Sequence, residues 1–168
     1  GKLIHLCFTC DPYPTGYDTS VTREVIKLLK EHGNHVQILT KGDGSRDFDL
    51  MNSEDWYGIT LDGNRERKSD HDIAPLFRYD RLVIAHEQGI KTWVSFEPVI
   101  DAENVLEMIR DVAPNVDKIK IGKLNYHKSE IDWKDFGERA ESICQKLGLD
   151  YYIKDSLRAE MVAERKEE

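Results

Sequence analysis

The sequence predicts an α/β fold of about five to six parallel strands, a barrel or an open sheet, and three observations carry that prediction. Five short apolar runs each stop at polar or charged residues: Leu3 to Phe8 before Thr9-Cys10-Asp11, Val36 to Leu39 before Thr40-Lys41, Tyr57 to Thr60 before Asp62, Thr92 to Phe96 before Glu97, and Lys118 to Ile121 before Gly122-Lys123. Helical stretches separate most of these runs, so the strands should run parallel. The strand-then-helix unit recurs about five and a half times without a fixed-period sequence repeat. Such an order brings the strand tips to one rim, where α/β barrels and open α/β sheets hold their ligands. At 168 residues the chain is one domain by length. It is short for a closed eight-unit barrel, which takes about 250 residues.

Each element has its own signals. Asp18 or Thr19 can cap a helix whose Val21, Val25, Leu28 and Leu29 fall on one face and which stops at Gly33. After the second strand, Lys41-Gly42-Asp43-Gly44 reads as a turn, and Ser45 can cap a short helix carrying Phe48 and Leu50. The polar run from Asp62 to Asp72 has no apolar period and is either an active-site loop or disordered. Pro75 suits the first turn of a helix that continues through Phe77, Leu82 and Ala85 to Gly89. Asp101 caps a helix bearing Val105, Leu106, Ile109 and Val112, which Pro114 closes. Asp132 caps the helix of Trp133, Phe136, Ala140, Ile143 and Leu147, stopped at Gly148, and Tyr151 to Ile153 reads as a last strand. The α/β domain is thus expected over 1–154, with 155–168 a charged tail forming a surface helix.

The totals exclude several classes of function. There are 32 Asp and Glu against 24 Lys and Arg, a formal net charge of -8, so bulk attraction to phosphate backbones is absent and any nucleic-acid contact has to be local. Three cysteines, with no signal peptide and no long apolar run, point to a reducing, cytoplasmic setting and to no membrane span.

Among the motifs, Cys7-Phe8-Thr9-Cys10 has the gap of a zinc knuckle or a thiol redox pair. Residues three apart on a strand face opposite ways, so both sulfurs reach one metal only if the strand has ended by Cys10; the alternative is two buried small apolar residues. Read as a three-cysteine iron-sulfur site with gaps of three and two, the first position is Leu3, which is no ligand. Asp11, Asp62 and Glu97 either chelate a divalent ion or act as an acid-base pair, or Asp11-Pro12 and Glu97-Pro98 are turn formers with solvated carboxylates. Lys41, directly after a strand and among glycines, is placed either to meet an anion or as an ordinary turn lysine. His5 reads as a satisfied core residue, the mixed-sign run Arg65 to Lys68 as a wet loop or a weak phosphate patch, and the three tryptophans as residues at element edges. No nucleophile elbow, Walker loop or dinucleotide fingerprint is present.

Taken in order, Phe8-Thr9-Cys10-Asp11-Pro12-Tyr13-Pro14, Thr22-Arg23-Glu24-Val25, Leu39-Thr40-Lys41, Arg46-Asp47, Ile59-Thr60-Leu61, Gly89-Ile90, Ser95-Phe96-Glu97-Pro98-Val99-Ile100 and Ile121-Gly122-Lys123-Leu124-Asn125-Tyr126 resemble the radical S-adenosylmethionine (SAM) proteins, in their spore photoproduct lyase-like, DNA repair photolyase-like branch. The resemblance runs from about residue 3 to residue 136. It implies a (β/α)6 partial barrel of which this chain starts at the second strand, without the first βα unit and its three-cysteine loop for a 4Fe-4S cluster. It also implies SAM as cofactor, with Lys41 meeting its methionine moiety, Thr60 supplying a hydroxyl, Thr9, Cys10 and Asp11 approaching it from the neighbouring strand end, and Glu97 at the next tip. A reductant such as ferredoxin or flavodoxin and a nucleic-acid substrate are the implied partners of a full-length lyase. Phe8 stands where that branch has its hydrogen-donating thiol, so the thymine-dimer reaction is not carried over. The alternatives from other classes are a metal-dependent hydrolase built on Asp11, Asp62 and Glu97, and a binding module that keeps the barrel without the chemistry.

Overall fold

The computed structural model describes residues 1–66 and 69–162. Six strands, β1 (Leu3–His5), β2 (His35–Thr40), β3 (Trp56–Thr60), β4 (Lys91–Phe96), β5 (Lys118–Ile121) and β6 (Tyr151–Ile153), form a single sheet in chain order. Every neighbouring pair is parallel. Strand order that never reverses is that of a barrel rather than of a doubly wound sheet, and the six strands curl into a half-barrel.

The alternation of side chains separates the two faces. Val36, Ile38, Tyr57, Ile59, Val94, Phe96, Ile119 and Ile121 are buried in the core beneath the helices. Their sequence neighbours Gln37, Leu39, Thr60, Trp93, Ser95 and Lys120 point to the concave side and line its cavity. The covering helices are α1 (Ser20–Glu31), α2 (Pro75–Glu87), α3 (Ala102–Val112), α4 (Trp133–Leu147) and α5 (Asp155–Val162), with a 3-10 turn over Ser45–Leu50. Among the described residues no helix is long and apolar enough to cross a membrane.

The caps behave as their residue types dictate. Asp101 accepts from the backbone N–H of Asn104, and Asp132 from that of Asp135. Gly148 ends α4 in the left-handed conformation. All four apolar residues expected on α3 are buried.

Three expectations are corrected. β1 ends at His5 rather than Phe8, because Cys7 takes a positive φ of 59° that no strand can continue. α1 turns its Val21-Val25-Leu28 stripe to the surface, with Val21 71% exposed, and buries Ile26 instead. Arg23 and Lys30, on the buried side, are drawn inward to the fully buried carboxylates of Asp47 and Asp55 at 2.9 and 2.5 Å. The segment after Asp155 is not only a surface helix: α5 buries Leu157 and Met161 in the common core. A Cβ on Gly137 of α4 would fall 2.6 Å from Met161 Cγ, so glycine is what lets the two helices approach. The expected tail beyond 162 and residues 67 and 68 of the charged run lie outside the described residues.

Candidate functional site

The concave face holds a cavity of about 680 Å³, of a size that takes a small molecule. All six residues singled out from the sequence, Thr9, Cys10, Asp11, Lys41, Thr60 and Glu97, line it. They arrive from four different strand ends, as expected of parallel strands that share one rim.

Asp11 organises the β1 and β2 side. Its Oδ1 accepts from Tyr13 N (2.8 Å) and from the Thr40 hydroxyl (2.5 Å), and its Oδ2 accepts from Lys41 N (2.7 Å). Thr40 Oγ1 in turn accepts from Gly42 N at 2.8 Å. Three of the carboxylate's roughly four acceptor positions are thus used to fasten the first loop to the tip of β2. The cluster fixes the backbone from which Lys41 projects. Among the described residues no carboxylate pairs with the Lys41 ammonium.

A second support comes from Arg78 of α2, which sequence reasoning missed. The residue is 2% exposed, and its guanidinium donates to Lys41 O (3.1 Å), Ile73 O (2.9 Å) and Thr60 O (2.8 Å), so one side chain ties the β2 tip, the β3 tip and the following loop together. Asp72 lies 3.5 Å away as its counter-ion. Burial draws the guanidinium below its ordinary pKa, against the pull of Asp72, Asp62 and Asp11. The loop is further fastened where Ile73 N donates to Lys41 O at 3.0 Å and Thr15 N to His71 O at 2.8 Å, which favours the structured reading of its second half.

Trp93 closes the cavity floor, contrary to the expectation that the tryptophans occupy element edges. It sits inside β4, and its Nε1–H donates to Ile38 O at 2.9 Å. The indole can cross β3 only because residue 58 has no side chain: a Cβ there would lie 2.2 Å from Trp93 Nε1. His5, expected in the core, instead lines the cavity, its ring 6.2 Å from that of Trp93. Burial, and then the charge of Lys120, hold its imidazole below the ordinary pKa. Lys120 projects from β5 with its ammonium 4.3 Å from the Trp93 ring centroid. Burial lowers its pKa, and Lys118 and Lys154 add to the effect.

Glu97 forms an ion pair with Lys154 and accepts from Asn125 Nδ2 at 3.5 Å. Its side chain lies against Gly122, where a Cβ would come within 2.6 Å of Oε1. Asp62 is not part of the cavity wall: 6% exposed, it accepts from Asn64 N at 3.0 Å within its own turn. Among the described residues no group of three or more His, Cys, Asp or Glu side chains could hold a metal ion. This separates Asp62 from Asp11 and Glu97 and removes the geometric basis of the three-carboxylate hydrolase.

Cys7 and Cys10 are both exposed, not buried as the default reading had it, and both line the cavity mouth. Partial burial, and then the neighbouring Cys10, hold the Cys7 thiol above its ordinary pKa. Cys144 is buried in α4. The three cysteines are therefore not one ligand set, and this chain's described residues do not fit a 4Fe-4S cluster. The residues missed by sequence reasoning, Trp93, Ser95 and Lys120, share one legible signal: each alternates with a buried apolar residue on its strand, which sends it to the other face.

A scan against protein-family models gives no match, and a search of curated proteins gives none. Solved structures do resemble the chain. SuiB of Streptococcus suis aligns with a TM-score of 0.67 at 11% identity, over 90% of this chain and 38% of SuiB. SuiB bound to S-adenosylmethionine aligns with a TM-score of 0.51 at 12% identity, over 91% of this chain and 47% of that one. The chain thus spans less than half the length of these structures. At such identities the likeness establishes the shared fold: the six-stranded half-barrel described above is one that SuiB also contains.

Proposed function

We propose that this half-barrel is the SAM-binding and substrate-binding part of a radical SAM enzyme, of the spore photoproduct lyase-like branch that its motifs resemble. The observation that carries the reading is the convergence of Thr9, Cys10, Asp11, Lys41, Thr60 and Glu97, chosen from the sequence alone, on a single cavity. A structure of SuiB bound to S-adenosylmethionine has the same fold and supports the reading. The Lys41 ammonium, unpaired among the described residues, would meet the methionine carboxylate of SAM. Thr60 would offer its hydroxyl, and Thr9 and Cys10 would border the cofactor. Asp11 and Arg78 would act through the backbone, holding Lys41 and Thr60 at fixed separation. SAM would supply hydrogen abstraction after one-electron reductive cleavage. Both the cluster and the reductant, a ferredoxin or flavodoxin, would have to come from beyond this chain's own residues.

Calorimetric titration of the chain with SAM tests the reading. Replacing Lys41 with Ala is expected to weaken binding by about 1.5 to 3 kcal/mol, the value of a charge-assisted hydrogen bond. An affinity unchanged by Lys41→Ala would remove that lysine from the site, and no binding by the parent chain would reject the assignment.

A further inference from the structure

We propose that Ser95 and Lys120 form a second anion seat in the cavity, which receives a carboxylate or phosphate group of the substrate; this rests on the reading that SAM occupies the Lys41 side of the same cavity. The seat is assembled by strand register. Thr60 pairs with Ser95 across β3 and β4, and Ser95 pairs with Lys120 across β4 and β5. Adjacent strands lie about 4.8 Å apart, so two hydroxyls and an ammonium stand in one row on the concave face. All three residues line the cavity. The Ser95 side chain, on a residue 5% exposed, makes no hydrogen bond to another described residue, and its hydroxyl is free to donate into the cavity.

Lys120 differs from every lysine beside it. Lys118 pairs with Asp150 at 2.9 Å, Lys123 pairs with Glu160 and Lys154 pairs with Glu97. Lys120 is half-buried, and among the described residues it has no carboxylate; its neighbour is the face of Trp93. A cation drawn out of water without an anion costs stability, and a contact with an aromatic face offsets only part of that cost. Lys41, just after β2, and Lys120 on β5 stand three strand spacings apart, roughly 14 Å along the sheet. SAM carries one carboxylate, which Lys41 would take. The charge at Lys120 is left for a second molecule, and an oxyanion that accepts from the Ser95 hydroxyl as well is the group that fits.

Trp93 supplies the probe, since its indole N–H is held by Ile38 O and its ring contacts Lys120. The indole resonance would be followed while the chain is titrated with inorganic phosphate, with acetate, and with chloride at matched ionic strength. A saturable shift with phosphate or acetate beyond that with chloride is expected, and the stronger of the two identifies the source of the oxyanion. Lys120→Met should weaken that response about tenfold or more, Ser95→Ala severalfold, each with a native thermal transition, while SAM affinity in Lys120→Met stays within about twofold. A response equal to that of chloride, or one equal in the parent and in Lys120→Met, overturns the seat. A tenfold loss of SAM affinity in Lys120→Met also overturns it, because Lys120 would then serve the cofactor. If the parent binds phosphate but no SAM, the cofactor reading fails and the seat stands.

Discussion

Two regions of the same sheet treat charge in opposite ways. At the amino-terminal rim, carboxylates are absorbed into the architecture. Asp55, just before β3, accepts from Val36 N of the neighbouring β2 at 2.7 Å, and Asp117, just before β5, accepts from Thr92 N of the neighbouring β4 at 2.7 Å. One device is used twice: an aspartate before one strand satisfies the first free N–H of the strand beside it. In the concave cavity, by contrast, Lys41 and Lys120 have no carboxylate partner among the described residues, and Ser95 makes no side-chain hydrogen bond there. The difference teaches where to look for chemistry. In a barrel, residues at the amino-terminal face hold the fold together, and groups left unmatched toward the carboxyl-terminal ends are available to a ligand.

The largest effect expected from breaking this contrast is at Asp55, which is fully buried and also accepts from Asn52 N at 2.8 Å and pairs with Lys30 at 2.5 Å. Asp55→Ala strands one ammonium and two backbone donors. A loss of about 3 to 5 kcal/mol in urea unfolding is expected, the cost of removing one partner from a buried pair. A loss below 1 kcal/mol, on the order of a surface change, would mean that water replaces the carboxylate and that this rim is not the stabilising one.

A smaller effect is expected at the cavity floor. Gly58→Ala places a methyl group against the face of the Trp93 pyrrole ring, with indole atoms at 2.2, 2.4 and 2.6 Å. The ring must swing away and give up its hydrogen bond to Ile38 O. Overpacking of this kind costs about 1 to 3 kcal/mol. The sharper readout is tryptophan fluorescence, because a displaced Trp93 meets solvent; an unchanged emission spectrum would show that the floor is not held by this glycine.

The fold was largely legible because its signals are local. Ile119 and Ile121 alternating with Lys118 and Lys120 define a strand with two unlike faces, and Gly33, Gly89 and Gly148 stop three helices in the left-handed conformation. The orientation of α1 was not legible: periodicity finds its apolar stripe, but the buried carboxylates that turn Arg23 and Lys30 inward belong to residues 24 and 25 positions further along the chain. The early end of β1 was hidden too, since a positive φ at a cysteine has no sequence signature. On the cavity wall, Lys41 and Glu97 were singled out because strand tips can be read from where apolar runs stop, and Thr60 through the family resemblance. Ser95, Trp93 and Lys120 were missed because they lie within strands, where only the sense of curvature decides which face becomes the cavity. Arg78 was missed because its partners are carbonyl groups, which every residue has.

The finest test of the contrast is a gain rather than a loss. The Lys120 pKa is held below its ordinary 10.5, first by burial and then by Lys118 and Lys154, so the fold favours the neutral amine. A group shifted down in this way contributes stability above its unfolded value and loses it as pH falls through the folded value. At neutral pH the folded chain therefore carries the cost of a charged Lys120. Lys120→Met keeps the packed stem against Trp93 and removes the charge. Its urea midpoint should exceed that of the parent at pH 7, and the difference should vanish as pH rises past 10.5. A midpoint below the parent's would mean that the contact with the indole face outweighs the burial of the charge. A raised midpoint would show Lys120 working against its own fold while Lys118, Lys123 and Lys154 beside it are paired, as expected of a charge that awaits a ligand.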